Sequence, residues 1–142
     1  MKPAILHTIL GVALVLSLSA CQRAHTNTTL PVLDWQTSPL DLNLRGMNGK
    51  SYLFRCPSGK PMPESITGTG VYTDASSICA AAAHAGAIDA QRGGLVMIQI
   101  LPGQNDYRST MQNFIHSEDY PNKWGGSFAV LSATDFDAGR KP

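Results

Sequence analysis

The sequence is poor in charge and in aromatic residues: 15% of its 142 residues are Asp, Glu, Lys or Arg, and 7% are Phe, Trp or Tyr. With 11 basic against 10 acidic residues, neither half of the chain concentrates the positive charge that a phosphate backbone demands, which excludes nucleic acid as the expected partner. It has no acidic or basic tail. Its longest apolar stretch, residues 9–18, is too short for an ordinary transmembrane helix. Gly68-Thr69-Gly70 is not followed by a helix start where a phosphate loop needs one, and no pair of carboxylates or nucleophile with its base stands out. What is plentiful is hydrophobic residues (43%), 13 glycines and 9 prolines, the composition of one compact domain with many turns. Two domains do not fit this length, and a single one still buries roughly two thirds of its unfolded surface.

At the N-terminus Lys2 precedes Ala4-Ile5-Leu6 and the 9–18 stretch, a basic start and an apolar core that read as an export signal over residues 1–20. The stretch ends in Leu18-Ser19-Ala20-Cys21, which resembles the lipobox of bacterial lipoproteins. That resemblance implies cleavage before Cys21 and attachment of lipid to its thiol. Gln22 follows where lipoproteins retained at the inner membrane often carry Asp, so the resemblance implies an outer-membrane lipoprotein of the bacterial envelope, facing the periplasm or the cell surface.

Cleavage removes Lys2, leaving ten basic and ten acidic residues, and commits one cysteine of three to lipid. The remaining pair, Cys56 and Cys79, lies in a compartment that permits disulfides, so one bridge is expected rather than two free thiols. A zinc site is not expected, because His84 and His116 are scattered relative to the cysteines, and no cofactor is implied.

Residues 21–40 carry Asn27-Thr28-Thr29, Pro31 and Pro39 without a helical or strand period, and read as a lipidated N-terminus and flexible tether. Trp35 is expected to staple it to the domain. Alternation in Leu40-Asp41-Leu42-Asn43-Leu44, a turn at Met47-Asn48-Gly49 and Tyr52-Leu53-Phe54-Arg55-Cys56 predict a hairpin. A modest strand is expected within residues 65–73, and a short helix over residues 78–85, capped by Asp74 or Ser76 and stopped at Gly86. Its four alanines predict a buried helix. Leu95-Val96-Met97-Ile98-Gln99-Ile100-Leu101, apolar on both faces, predicts a central strand, and residues 127–131 a closing one. The domain is placed at residues 41–133, with a frayed tail at 134–142.

The run Val71-Tyr72-Thr73-Asp74-Ala75-Ser76-Ser77-Ile78-Cys79 through Ala80-Ala81-Ala82-Ala83-His84-Ala85-Gly86 strongly resembles the signature of the LCCL domain family. Phe54-Arg55-Cys56-Pro57, Gly93-Gly94, Leu101-Pro102-Gly103, Tyr107, Ser109 and Ser127-Phe128 extend the likeness over residues 42–131. It implies an α+β fold, a central Ala-rich helix packed against strands of two small antiparallel sheets. Two departures stand out: Lys60 where the family often has a second cysteine, and Asn113-Phe114 where it has Asn-Gly. In four-cysteine members the residue matching Cys79 pairs with that missing neighbour, so a bridge to Cys56 is a local rearrangement.

His84 lies five residues from Cys79, off the same helical stripe, and is expected to bond a backbone carbonyl rather than serve a thiol hydrolase. The expectation is therefore not an enzyme but a noncatalytic binding or adhesion module, held to the membrane by lipid on Cys21. The resemblance leaves an envelope glycan, glycolipid or protein as ligand, since LCCL domains of animal proteins are associated with lipopolysaccharide recognition and extracellular assembly. The candidate contact residues are Tyr72, Asp74, Tyr107, Arg108 and Trp124, on turn-rich segments. The alternative is a periplasmic lipoprotein inhibitor of a lysozyme-like enzyme, because Tyr52 to Lys60 distantly resembles the start of that family; an all-β inhibitor has no place for the Cys79 helix.

Overall fold

The computed structural model describes residues 29–59 and 66–132. The signal, Cys21, Lys60 and the tail at 134–142 lie outside the described residues. The elements in chain order are β1 (Ser51–Cys56), β2 (Gly68–Thr69), β3 (Val71–Thr73), α1 (Ile78–His84), β4 (Gly94–Pro102), β5 (Met111–Gln112), β6 (Ile115–His116) and β7 (Gly126–Leu131). Among the described residues the fold is mostly sheet with one short helix, and both sheets are antiparallel: five strands in the order β1-β4-β7-β3-β2, and the β5-β6 hairpin.

The continuous apolar run forms β4, paired to β1 on one side and to β7 on the other. Its alternate residues Val96, Ile98 and Ile100 are buried, and Phe128 and Tyr72 follow Ile100 across the sheet in register. The opposite face is not sealed, for Leu95 is 49% exposed. The strand expected within residues 65–73 is a β2-β3 hairpin turning at Gly70, whose φ of 72° is a conformation glycine adopts freely.

Every residue of α1 is buried, Ala80 through Ala83 included. Seven residues do not hold a helix in water by themselves, so packing and caps must stabilise it. Ser77 is the N-cap, its hydroxyl accepting from Ala80 N at 3.1 Å. Neither Asp74 nor Ser76 caps the helix, because the Asp74 carboxylate is engaged elsewhere and the Ser76 hydroxyl accepts from Thr67 N at 2.9 Å. At the other end Gly86 N bonds Ala83 O at 3.0 Å and Ala87 N bonds Ala82 O at 2.9 Å, a Schellman closure with Gly86 at φ 76°. The Cys56–Cys79 disulfide, Cα atoms 5.6 Å apart, ties the end of β1 to the first turn of α1.

Two sequence expectations are corrected. Residues 40–44 are successive turns, not a strand of a hairpin, and β1 pairs instead with β4. Asp41 causes this: its carboxylate accepts from Ser38 N at 2.9 Å and from the Ser38 hydroxyl at 2.7 Å, while Asn43 takes φ 55°. Leu42 and Leu44 still reach the core from the turns, which is why their spacing mimicked a strand. The tether, in turn, does not run to residue 40. Leu33 N bonds Arg55 O and Arg55 N bonds Pro31 O, each at 2.9 Å, so the chain lies along the free edge of β1 from Pro31 onward with Leu33 buried. Trp35 packs on the core, and its carbonyl accepts from Ser77 Oγ at 2.6 Å.

Candidate ligand surface

Asp74 follows β3 directly and is fully buried, a costly place for a carboxylate unless it is paired. Arg45 supplies a two-pronged partner, Nε to Oδ2 at 2.6 Å and Nη2 to Oδ1 at 2.7 Å, and Trp124 Nε1 donates to Oδ1 at 2.7 Å. The guanidinium carbon also lies 5.6 Å from the Trp124 ring centroid, and Tyr120 meets that ring edge-on at 5.7 Å. Backbone bonds fix the same corner: Leu40 N to Asp74 O at 2.9 Å and Asp74 N to Gly126 O at 3.1 Å. A Cβ at Gly126 would overlap the carboxylate, so glycine is required there for the close approach. Burial pushes the Asp74 pKa up; the Arg45 and Trp124 hydrogen bonds and the Arg45 charge outweigh it and hold the group below the usual carboxylate range.

A second polar set lies inside the fold. His84 Nδ1 meets the Tyr72 hydroxyl at 2.8 Å, and Nε2 meets the Thr110 carbonyl at 3.2 Å. A carbonyl only accepts, so Nε2 carries hydrogen and donates; in the neutral ring Nδ1 then accepts from the hydroxyl. Burial pushes the Tyr72 phenol above its usual range. The β5-β6 hairpin leans on the end of α1: Asn113 Nδ2 donates to His84 O at 2.8 Å, and Thr110 N donates to Ser117 Oγ at 2.9 Å. Its two turn residues, Asn113 at φ 48° and Phe114 at φ 63°, both take the left-handed conformation.

The model of the LCCL domain family matches residues 33–128. The chain belongs to the LCCL domain family. It is 30% identical over 134 residues to Vitrin of Mus musculus, covering 94% of this chain and 20% of that protein. To Cochlin of Bos taurus it is 45% identical over 76 residues, 53% of this chain and 14% of that protein. To the Mus musculus protein called Cysteine-rich secretory protein LCCL domain-containing 1 it is 38% identical over 80 residues, 54% of this chain and 16% of that protein. The chain thus spans at most about a fifth of the relatives' length, the share of one domain in larger proteins.

In this LCCL domain the sequence-chosen contact residues divide. Tyr72, Asp74 and Tyr107 are buried and bonded internally, Tyr107 through its hydroxyl to Ser127 Oγ, so their polar atoms serve the fold. Arg108 is exposed and pairs at 3.1 Å with Asp106, itself half exposed. Trp124 is half-buried with its indole N–H engaged by Asp74, leaving part of the ring to solvent. Asp74 and Trp124 meet directly; Tyr72 belongs to the His84 set and Arg108 stands apart. Sequence reasoning missed Arg45, 29 residues from its partner, for which no local pattern exists. It also missed Phe114, although Asn113-Phe114 was visible as a departure from the family's Asn-Gly.

Proposed function

We propose that this chain is a noncatalytic LCCL binding module held at a bacterial envelope by lipid on Cys21, and that its ligand is an envelope glycan, glycolipid or protein. One observation supports the reading above others: the reactive groups of the signature are already bound within the fold. Cys79 is in a disulfide, His84 has both ring nitrogens engaged, and Asp74 is held by Arg45 and Trp124. The close-packed centre at Ala80–Ala83 is read as scaffold, and what it offers another molecule is loop surface, with Arg108 and the outer part of the Trp124 ring as contacts. The buried α1, stitched to β1 by the bridge, argues against the all-β inhibitor alternative.

The test is capture by the domain, residues 22–142, of lipopolysaccharide, peptidoglycan fragments or envelope proteins. Arg108→Ala and Trp124→Phe are the variants of choice; the second keeps an aromatic ring beside Arg45 but, like Trp124→Ala, removes the N–H donor of the buried Asp74 carboxylate, so its melting temperature is measured alongside its binding. Binding by the wild type that weakens in the variants supports both module and surface. Binding that both variants retain in full refutes this surface, and turnover of an envelope substrate refutes the module.

A further inference from the structure

The tip of the β5-β6 hairpin carries a combination that the fold does not use. Phe114 is 103% exposed and Met111, on the same hairpin, is 65% exposed. Phe114 therefore buries no apolar surface in its own domain, yet sits at φ 63°, where a side chain with a Cβ is disfavoured and glycine is not. The hairpin beneath it is held firmly, by Asn113 on the end of α1 and by the Thr110 carbonyl on the buried His84. The result is an exposed aromatic side chain at the turn of a braced hairpin, with a second exposed apolar side chain, Met111, on the strand leading into it. Such a shape suits a soft interface that closes around it better than a flat protein face.

We propose that the Phe114–Met111 tip inserts into the interfacial region of the lipid bilayer and so orients the domain on the membrane; this rests on the reading of Cys21 as a lipid anchor. The length of chain between anchor and fold favours the bilayer as occupant. The body of the domain starts at Pro31, ten residues after Cys21, and a chain of that length reaches at most about 35 Å. The entering segment and the tip bracket the same short helix: Trp35 and Thr37 bond its start, Asn113 bonds its end. That helix is about 10 Å long and the four residues from Pro31 to Trp35 span at most about 14 Å, so together they stay inside the reach of the tether. Anchored this closely, the domain meets the bilayer at high local concentration, and two apolar side chains suffice to set its orientation where they would not recruit it from solution.

The test uses the full-length lipidated chain with Phe114→Trp, purified from membranes and reconstituted in phosphatidylethanolamine–phosphatidylglycerol vesicles. Flotation with the vesicles reports the anchor, and quenching by brominated lipids, relative to wild type with Trp35 and Trp124 alone, reports the tip. The expected result is flotation, a blue shift of the added emission, and stronger quenching by lipids brominated near the headgroup than at the chain end, matching a depth of about 5–10 Å. Flotation without added quenching overturns the proposal and leaves the anchor standing, as does quenching that appears only when an envelope protein is added. Failure to float removes the anchor and the proposal together. Because the Phe114 side chain is fully exposed, the substitution leaves the packing of the domain undisturbed.

Discussion

Replacing Arg45 with alanine should destabilise the domain in a way that depends on pH. The Asp74 side chain is 1% exposed and that of Arg45 is 41% exposed, so the variant strands a buried carboxylate while opening a path for water beside it. Losing one partner of a fully buried pair costs about 3–5 kcal/mol; with Arg45 half in solvent and Trp124 still donating, about 2–3 kcal/mol is expected near pH 7. For a domain of this size that lowers Tm by roughly 8–20 °C.

In the wild type the folded pKa of Asp74 lies below its unfolded value of about 3.9, so its contribution is complete above that value and is lost as pH falls through the folded pKa. In Arg45→Ala the desolvation that pushes Asp74 up is opposed only by the hydrogen bonds from Trp124 and from the residue's own backbone N–H, and the folded pKa should rise above the unfolded one. The variant then loses stability as pH climbs from the unfolded value through the raised folded value. The gap between the two proteins should accordingly be widest near pH 7 and shrink toward pH 3. Asp34, Asp41, Asp89 and Asp119, held low mainly by hydrogen bonds from neighbouring residues, shape both acid limbs alike and cancel in the difference. Urea unfolding of both proteins at pH 7, 5 and 3 measures it. A gap below about 0.5 kcal/mol at pH 7, the size of an ordinary surface pair, refutes the buried-carboxylate argument. A gap that does not change with pH refutes its electrostatic origin.

The remaining predictions concern the bridge, the helix, the anchor and the tip. Cys56→Ser with Cys79→Ser should lower stability by about 3 kcal/mol, from the loop closed across a separation of 23 residues; two reactive thiols per denatured, unreduced wild-type chain would contradict it. Ala81→Leu and Ala82→Leu should each cost about 1–3 kcal/mol or more by overpacking, and unchanged melting temperatures in both would refute close packing around α1. Cys21→Ala should abolish labelling by palmitate and leave the protein unanchored, and continued labelling in the membrane fraction would refute the lipobox reading. Phe114→Gly should raise stability by about 0.5–1 kcal/mol, the relief of left-handed strain less the chain entropy of glycine, while bilayer contact is lost; destabilisation would show that Phe114 packs within the fold.

What the sequence revealed, and what it hid, follows from the range of the interactions. β4 was legible because six apolar residues, interrupted by Gln99 alone, run between Gly-Gly and Pro-Gly, and its neighbours make it central. The bridge was legible by parity, once one cysteine of three is assigned to lipid. The histidine bond to a carbonyl was legible as the ordinary fate of a buried imidazole; its Tyr72 partner was not. Residues 40–44 misled because turns that bring Leu42 and Leu44 inward share the two-residue period of a strand, and only the Ser38–Asp41 bonds decide between them. The Arg45–Asp74–Trp124 corner was hidden outright, since its members lie 29 and 50 residues from Asp74 and no local pattern announces such a pairing.

Those hidden contacts bear on where binding chemistry should be sought. A residue type suited to ligands, such as Asp, Tyr or Trp on a turn, is equally suited to joining loops, and here Asp74, Tyr107 and most of Trp124 join loops. Residue type therefore discriminates poorly, whereas a mismatch between residue and local conformation discriminates well. At position 114 glycine would satisfy the backbone, and phenylalanine adds strain and buries nothing in return within the domain. Asn113 shares the turn but is accounted for, since asparagine tolerates the left-handed region and its amide closes the end of α1. Phe114 has no such internal explanation. No packing within the described domain offsets its strain, which is why the hairpin tip, rather than the polar signature residues, carries the inference of contact.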